Sequence, residues 1–578
     1  MRCCVEGPHR TPTPPTQQEI CLSGQFFLAA GAASNATGGF SLVPGARFVT
    51  SPTTISKRPN GMANWDHGYV TDVAYTTNAY IETTPSWLAA SAIILQHRPV
   101  DLTASFRYAD LGCGNGLNAM VVAAANPKAQ VWGFDFNPTH IENARELAAR
   151  AGLTNIVFEE MSFEALAKGE ADLPGRLDVM VSHGVLSWIS LENQRHLAAA
   201  FDRWLRPGGL AYLSYNVATG WAAMEPLRLL MRQLADQGQR RSDQEVPDIV
   251  AALEQLKTGG ALFFQAHPGL EARFEQLKRM DPRYIAHEFL NRDWHPVMFA
   301  EVAEMMSEAR GQYIGSATLL ENIDALSVPP NVVPAIAAVR DPVIRETMRD
   351  IGAAKAFRRD LWRRGGEPIP PLEQAARLDA LGLVWTGKAM DGSIQFATPF
   401  GSLTGQPEFY TPMIELLRKG SVTLAQLRAI PALRDRPLGD FTQAATLLIG
   451  AGYAFPVSAI ATQAETIAST ARLNAALVQR TRLGVDMPCL ASPVSGCSVG
   501  VTVMEVLAIG RMMEGTPADP ERLTDHVLGD LGRSGRSLMN EGEVVRDPVQ
   551  ARAMVANAMR EFVAGRLSVL KGLGIVPA

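Results

Sequence analysis

The chain is short of several things, and each shortage closes off a class of function. It has no basic excess: 53 Lys and Arg against 58 Asp and Glu give a formal charge of −5. That leaves no electrostatic footprint for nucleic acid. No apolar run reaches the roughly 18 residues that a membrane-crossing helix requires, so no span is expected and a cytoplasmic location is. Its six cysteines, Cys3, Cys4, Cys21, Cys113, Cys489 and Cys497, include no C-x-x-C spacing. Reduced thiols and no metal site follow from that pattern. No strict repeat recurs. With 47% hydrophobic and 19% charged residues over 578 positions, the chain can still bury sizeable cores, and its length calls for two to four domains.

Residues 1–61 are rich in Pro, Thr, Ser and Gly and show no sustained period. They are expected to be disordered, or to be an extension ahead of a true start at Met62, which directly precedes patterned sequence. The apolar run Phe26–Ala33 lies too late, behind a Pro/Thr-rich lead, for a signal peptide.

Phe106–Asp135 organises the rest. A predicted strand ends on Asp110, and a turn follows, Gly112-Cys113-Gly114-Asn115-Gly116. An apolar helix over Leu117–Ala125 comes next, and a second strand ends on Asp135. Glycines let backbone approach a ligand closely. A helix starting just beyond them aims N–H groups and a positive dipole end at the same place. A carboxylate on the neighbouring strand end can accept hydrogen bonds from ribose hydroxyls. Together they describe a nucleoside-ligand site.

Further strands are predicted at Ile156–Glu159, Leu177–Ser182 and Leu210–Tyr215. Helices are predicted at 86–97, from Asn137 to Gly152, and at Leu191–Leu205. Asn137 is a good N-cap, Pro138 fits the first turn, and Ile141, Ala144, Leu147 and Ala148 form an apolar stripe. Alternation of this kind implies a mostly parallel sheet with helices on both faces, its ligand beyond the strands' carboxyl ends. Asp110, Asp135, Glu160, Met161, Ser162, His183, Tyr215 and Asn216 should therefore share one cleft. Tyr69, Tyr75 and Tyr80 lie in an aromatic, polar lead that could close over it. Beyond Trp221 the pattern turns helical, with an apolar face at Phe299, Val302, Met305 and Met306. The stretch Phe357–Arg364 (FRRDLWRR) is read as the basic, solvated end of a helix, with docking of an acidic polypeptide as the alternative. Short strands are expected at Gly382–Thr386 and Ile394–Ala397, and the last hundred residues should be helical with a loop around Pro488–Gly500.

The G-x-G-x-G turn is not the G-x-G-x-x-G of dinucleotide folds. An acidic residue precedes it where a pyrophosphate would tolerate none, and Arg206-Pro207-Gly208-Gly209 leads into a late strand. These features resemble a class I S-adenosylmethionine-dependent methyltransferase. Ser182–Trp188, Ser214-Tyr215-Asn216 with Gly220-Trp221, and Thr71–Thr76 resemble one subgroup. Tyr284–Leu290, Trp294-His295-Pro296 and Phe299 resemble its methyltransferase regulatory domain. Phe357–Asp360 and Leu490–Pro493 extend the likeness to roughly residues 65–578, and known members include bacterial protein-lysine methyltransferases acting on an outer-membrane protein. The chain departs from them at Thr219, where they carry proline before the glycine.

The resemblance implies an α/β Rossmann-like sheet followed by mainly helical domains and a small winged-helix-like unit. The expected division is 62–221 for the cofactor domain with its lid, 222–366 for the regulatory domain, 367–460 for the winged-helix-like unit and 461–578 for a C-terminal helical domain. It implies S-adenosylmethionine as donor, S-adenosylhomocysteine as product, and a cofactor site of Asp110, Gly112, Cys113, Gly114, Asn115, Gly116, Asp135, Phe136, Met161, Ser162 and His183. Cys113 fills space there rather than acting as a nucleophile. Tyr75, Tyr215 and Asn216 are candidates to orient an acceptor amine, His183 to relay its proton, and Trp188 and Trp221 to wall the channel. The His287-Glu288 pair lacks a second helical ligand for metal and is read as making a helix-surface or interdomain hydrogen bond. The expected acceptor is a protein lysine, with homodimerisation another use for the large C-terminal half. A small-molecule O- or N-methyltransferase and a non-catalytic S-adenosylmethionine sensor are the alternatives.

Overall fold

The structure, a computed structural model, describes residues 42–44, 68–73, 77–540 and 543–576. Met62, Phe26–Ala33 and Tyr75 lie outside the described residues. Within the segment expected to be disordered, Leu42–Pro44 forms a strand paired antiparallel with Arg536–Leu538.

The central sheet has seven strands: β1 (Arg107–Leu111), β2 (Gln130–Asp135), β3 (Ile156–Glu160), β4 (Leu177–Ser182), β5 (Leu205–Asn216), β6 (Gly311–Ser316) and β7 (Phe357–Arg364). Their order is β3-β2-β1-β4-β5-β7-β6. The first five are parallel, and β7 runs antiparallel to both β5 and β6. Chain order reverses between β1 and β4, which opens a crevice beyond their carboxyl ends. Asp110 stands opposite Gly133, and Asp135 opposite Glu160.

Helix α1 (Leu117–Ala125) is buried along its whole length, as a helix apolar at every position but Asn118 should be. It lies between the sheet and the long helix Ala464–Arg482 of the C-terminal region. Full burial of Leu117, Met120 and Val121 is worth roughly 2 kcal/mol per side chain. One continuous core therefore joins this face of the sheet to the C-terminal half. The other face packs Phe201, Phe299, Val302 and Met306 against Trp362. A third core gathers Trp221, Met231, Leu253, Phe274 and Phe289 in helices inserted between β5 and β6.

Two expectations change here. Phe357–Arg364 is not a solvated helix end but the buried strand β7. Hydropathy hides this because Arg358, Arg359, Asp360 and Arg364 are paired in place. Arg358 meets Asp350 at 2.7 Å, Glu346 at 2.9 Å and Asp360 at 3.0 Å, and buried charges survive only when paired in this way. The 222–366 stretch also gives β6 and β7 to the central sheet, so its helices are an insertion into the cofactor domain's sheet rather than a body following it. Further along, Gly382–Trp385 pairs with Val422–Thr423 and Ala454–Pro456 in a small sheet with helices Pro407–Leu417 and Leu438–Gly450. The expected loop near 488–500 contains the hairpin Cys489–Ala491 with Ser498–Gly500.

Candidate active site

A cavity opens at the strand ends, lined by the whole glycine turn and by Asp110, Asp135, Phe136, Met161, Ser162, His183 and Trp188. Gly112 and Gly116 have φ of +77° and +73°, and a Cβ at either would lie 2.5 Å from Val185 or Phe158. The turn is thus closed to side chains behind. At Gly114, φ +54°, a Cβ would meet nothing within 4 Å. It would project into open space beside the cavity, and a cradle of that kind suits a ligand lying on bare backbone.

Two carboxylates flank the turn in different surroundings. Asp135 accepts hydrogen bonds from the amides of Gly114 (2.8 Å) and Asn137 (2.9 Å) and lies 3.2 Å from His140 Nδ1. It pins the turn to the start of helix Pro138–Arg150. Asp110 is buried and meets the Asn118 amide at 3.1 Å. Burial pushes its pKa up to about 7, with Asp135 adding to the rise and Asn118 opposing it. An acid so poorly solvated is a ready partner for a cationic group. Burial also pushes the Cys113 thiol up, which rules against a thiolate nucleophile.

His183 Nδ1 lies 2.8 Å from the Tyr212 hydroxyl, and its ring stacks on Tyr80 with centroids 3.6 Å apart. Burial, then Arg359, hold its pKa well below the usual histidine range. It walls the cavity, and its burial disfavours the protonated ring that a proton relay would pass through. Tyr69 and Tyr80 both line the cavity, and Tyr69 meets Phe136 edge-on at 5.9 Å.

The structure does not bring Tyr215, Asn216 or Trp221 to this cavity. Tyr215 is fully buried and donates to Asp360 at 2.5 Å; burial and Asp360 hold its hydroxyl well above the ordinary tyrosine pKa. The Asn216 side chain turns toward Glu288 at 3.5 Å, and Trp221 donates to the Ala356 carbonyl at 2.9 Å. Thr219 likewise anchors to the Lys355 carbonyl at 2.8 Å. His287 is buried and meets the Val73 carbonyl at 3.0 Å, tying the inserted helices to the lead. These residues hold the floor behind the site. Sequence reasoning missed Asn118 and His140. Asn118 also accepts from Thr83 at 2.8 Å, linking the lead to Asp110; a lone polar residue in an apolar helix was the available signal.

Residues 102–298 match the family described as methyltransferase domain, and residues 281–364 match the predicted methyltransferase regulatory domain. Protein sll1526 of Synechocystis sp. is 32% identical over 519 residues, spanning 88% of this chain and 99% of that protein. A trans-aconitate 2-methyltransferase of Streptomyces coelicolor is 32% identical over 134 residues, 22% of this chain and 40% of its own. Among solved structures, PKMT2 from Rickettsia typhi in complex with AdoHcy shares the fold with a TM-score of 0.63 and 20% identity, over 86% of this chain and 100% of that one. With the strand order, the open glycine cradle and the unneutralised acid beside it, these matches place the chain in the family of S-adenosylmethionine-dependent methyltransferases that carry a methyltransferase regulatory domain.

Proposed function

We propose that the chain methylates lysine side chains of a polypeptide. The observation that carries this is a second, wide cleft that shares Asn78 and Tyr80 with the donor cavity. Its walls come from the lead, the sheet's last strand, the small α/β unit and the C-terminal region, at Glu82, Arg359, Lys388 and Arg566. Such an approach suits an extended chain that inserts one long side chain; an acceptor small enough to enter whole would not need it. The sequence likeness to bacterial protein-lysine methyltransferases supports the same reading.

In this account the donor supplies an electrophilic methyl on a sulfonium. Asp110 would face its ammonium, Asp135 its ribose hydroxyls, and Phe136, Met161 and Ser162 its adenine, over the bare backbone of Gly112–Gly116. Asn115 is held beside the lead by Thr77 at 3.4 Å and Asn143 at 3.2 Å. Tyr80, stacked on His183, lines both the donor cavity and the acceptor approach. The acceptor must arrive neutral. A lysine of pKa ~10.4 is neutral about once in 10³ at pH 7, so depressing that pKa could contribute up to ~4–5 kcal/mol. Desolvation against Tyr80 and Trp188 acts in that direction. The displaced proton leaves to water in the second cleft, with neutral His183 offering hydrogen bonding rather than storage.

Incubation with methyl-labelled S-adenosylmethionine and a total bacterial protein extract, resolved by gel, tests the proposal. Label on polypeptide bands is expected. Label confined to small molecules, or donor binding without any transfer, would overturn it.

A further inference from the structure

The second cleft carries information about what surrounds the accepted lysine; this step rests on the protein-acceptor reading. Its cations differ in one respect. Arg359 pairs with Glu82 at 3.4 Å, and Arg566 pairs with Glu505 at 3.5 Å. Lys388 has no carboxylate partner among the described residues. Its Nζ donates to the Ala451 carbonyl at 2.7 Å, at the end of helix Leu438–Gly450, and sits 4.5 Å over the Tyr453 ring. The carbonyl occupies one of three ammonium donors, and a helix end carries only about half a negative charge. The ammonium is therefore fixed in direction, half-buried and incompletely neutralised.

Lys388 and Glu82 belong to different parts of the chain yet line the same cleft. An extended polypeptide advances about 3.3 Å per residue. With its target lysine inserted past Tyr80, residues a few positions away would lie along the walls. We infer that the cleft selects lysines with acidic neighbours, one of whose carboxylates pairs with Lys388. A capping role alone would leave Lys388 without any say in sequence choice, and the two roles separate experimentally.

The test uses the full chain and the Lys388→Met and Lys388→Glu variants. Each is incubated with methyl-labelled S-adenosylmethionine and the same bacterial protein extract, and modified lysines are mapped by mass spectrometry. Circular dichroism and calorimetric donor binding are measured alongside, and both variants should retain wild-type donor affinity. The wild type should prefer windows rich in Asp and Glu. Lys388→Met should lose that preference, with acidic sites labelled about five-fold more slowly, the scale of a partly exposed ion pair. Lys388→Glu should shift labelling toward windows rich in Lys and Arg. If all three proteins modify the same windows, Lys388 only caps the helix and the inference fails while the protein-acceptor reading stands. If no polypeptide is labelled although the donor binds, that reading fails, and the inference with it.

Discussion

Asp110 makes the donor site sensitive to pH near neutrality, well above the range in which an ordinary carboxylate titrates. In the free protein its pKa is raised to about 7 from 3.8, chiefly by burial. Three units correspond to up to about 4 kcal/mol against the charged form. A raised folded pKa means that the stability associated with this group is present at low pH and lost as pH climbs through about 7. A donor ammonium beside Asp110 restores the charged form, so binding below pH 7 must expel a proton. Donor affinity should fall roughly ten-fold between pH 8 and pH 6, with close to one proton released at pH 6 and almost none at pH 8.5. His183, already neutral through burial, adds nothing in that window. Calorimetric titration with S-adenosylmethionine in two buffers of different ionisation enthalpy reads both quantities. Asp110→Asn should bind about 10- to 100-fold more weakly at pH 8, lose the pH dependence, and resist urea at least as well as the wild type there. Affinity that is flat from pH 5.5 to 8 in the wild type, with no proton release, would refute the reasoning.

Further substitutions separate binding from scaffolding. Gly114→Ala meets no protein atom but occupies the cradle; it should weaken donor binding at least ten-fold, and urea unfolding should report only the ~1 kcal/mol cost of a left-handed alanine. Asp135→Ala orphans the amides of Gly114 and Asn137 and should abolish calorimetric donor binding, with far-ultraviolet circular dichroism unchanged. Arg358→Ala removes the guanidinium that Glu346, Asp350 and Asp360 share, with Arg349 still beside Glu346 and the Tyr215 hydroxyl still on Asp360, and should cost about 3–5 kcal/mol in urea unfolding, or yield insoluble protein. Tyr215→Phe removes only the hydrogen bond to Asp360; it should cost about 1–3 kcal/mol of stability while donor affinity stays within two-fold, and a larger loss of affinity would return Tyr215 to the site.

Local signals carried the sequence reading a long way in the first half of the sheet. Buried parallel strands leave compact apolar runs, and their tips are marked by a polar residue at or beside each strand's end, Asp110, Asp135 and His183. The same logic misled at Tyr215 and Asn216. Strand β5 continues to Asn216 because β7 pairs with it to the end, Phe357 opposite Asn216, so those side chains face protein rather than cavity. That partner lies 141 residues away in sequence, in a strand whose arginines mimic a solvated surface. Ion pairing of Arg358 with Asp350 and Glu346 depends on a helix brought in by topology, which periodicity cannot report. Tyr80 and His183 were each legible as site residues; their stacking, and the second cleft behind them, required the C-terminal half to fold back over the lead.

The central claim is that the methyl group ends on a lysine nitrogen of a polypeptide. Its most direct measurement is acid hydrolysis of the labelled protein bands, followed by chromatography of the free amino acids. Radioactivity should co-elute with Nε-methylated lysines. Radioactivity released as methylamine from methylated glutamine, or as methanol from carboxyl esters, would contradict the account.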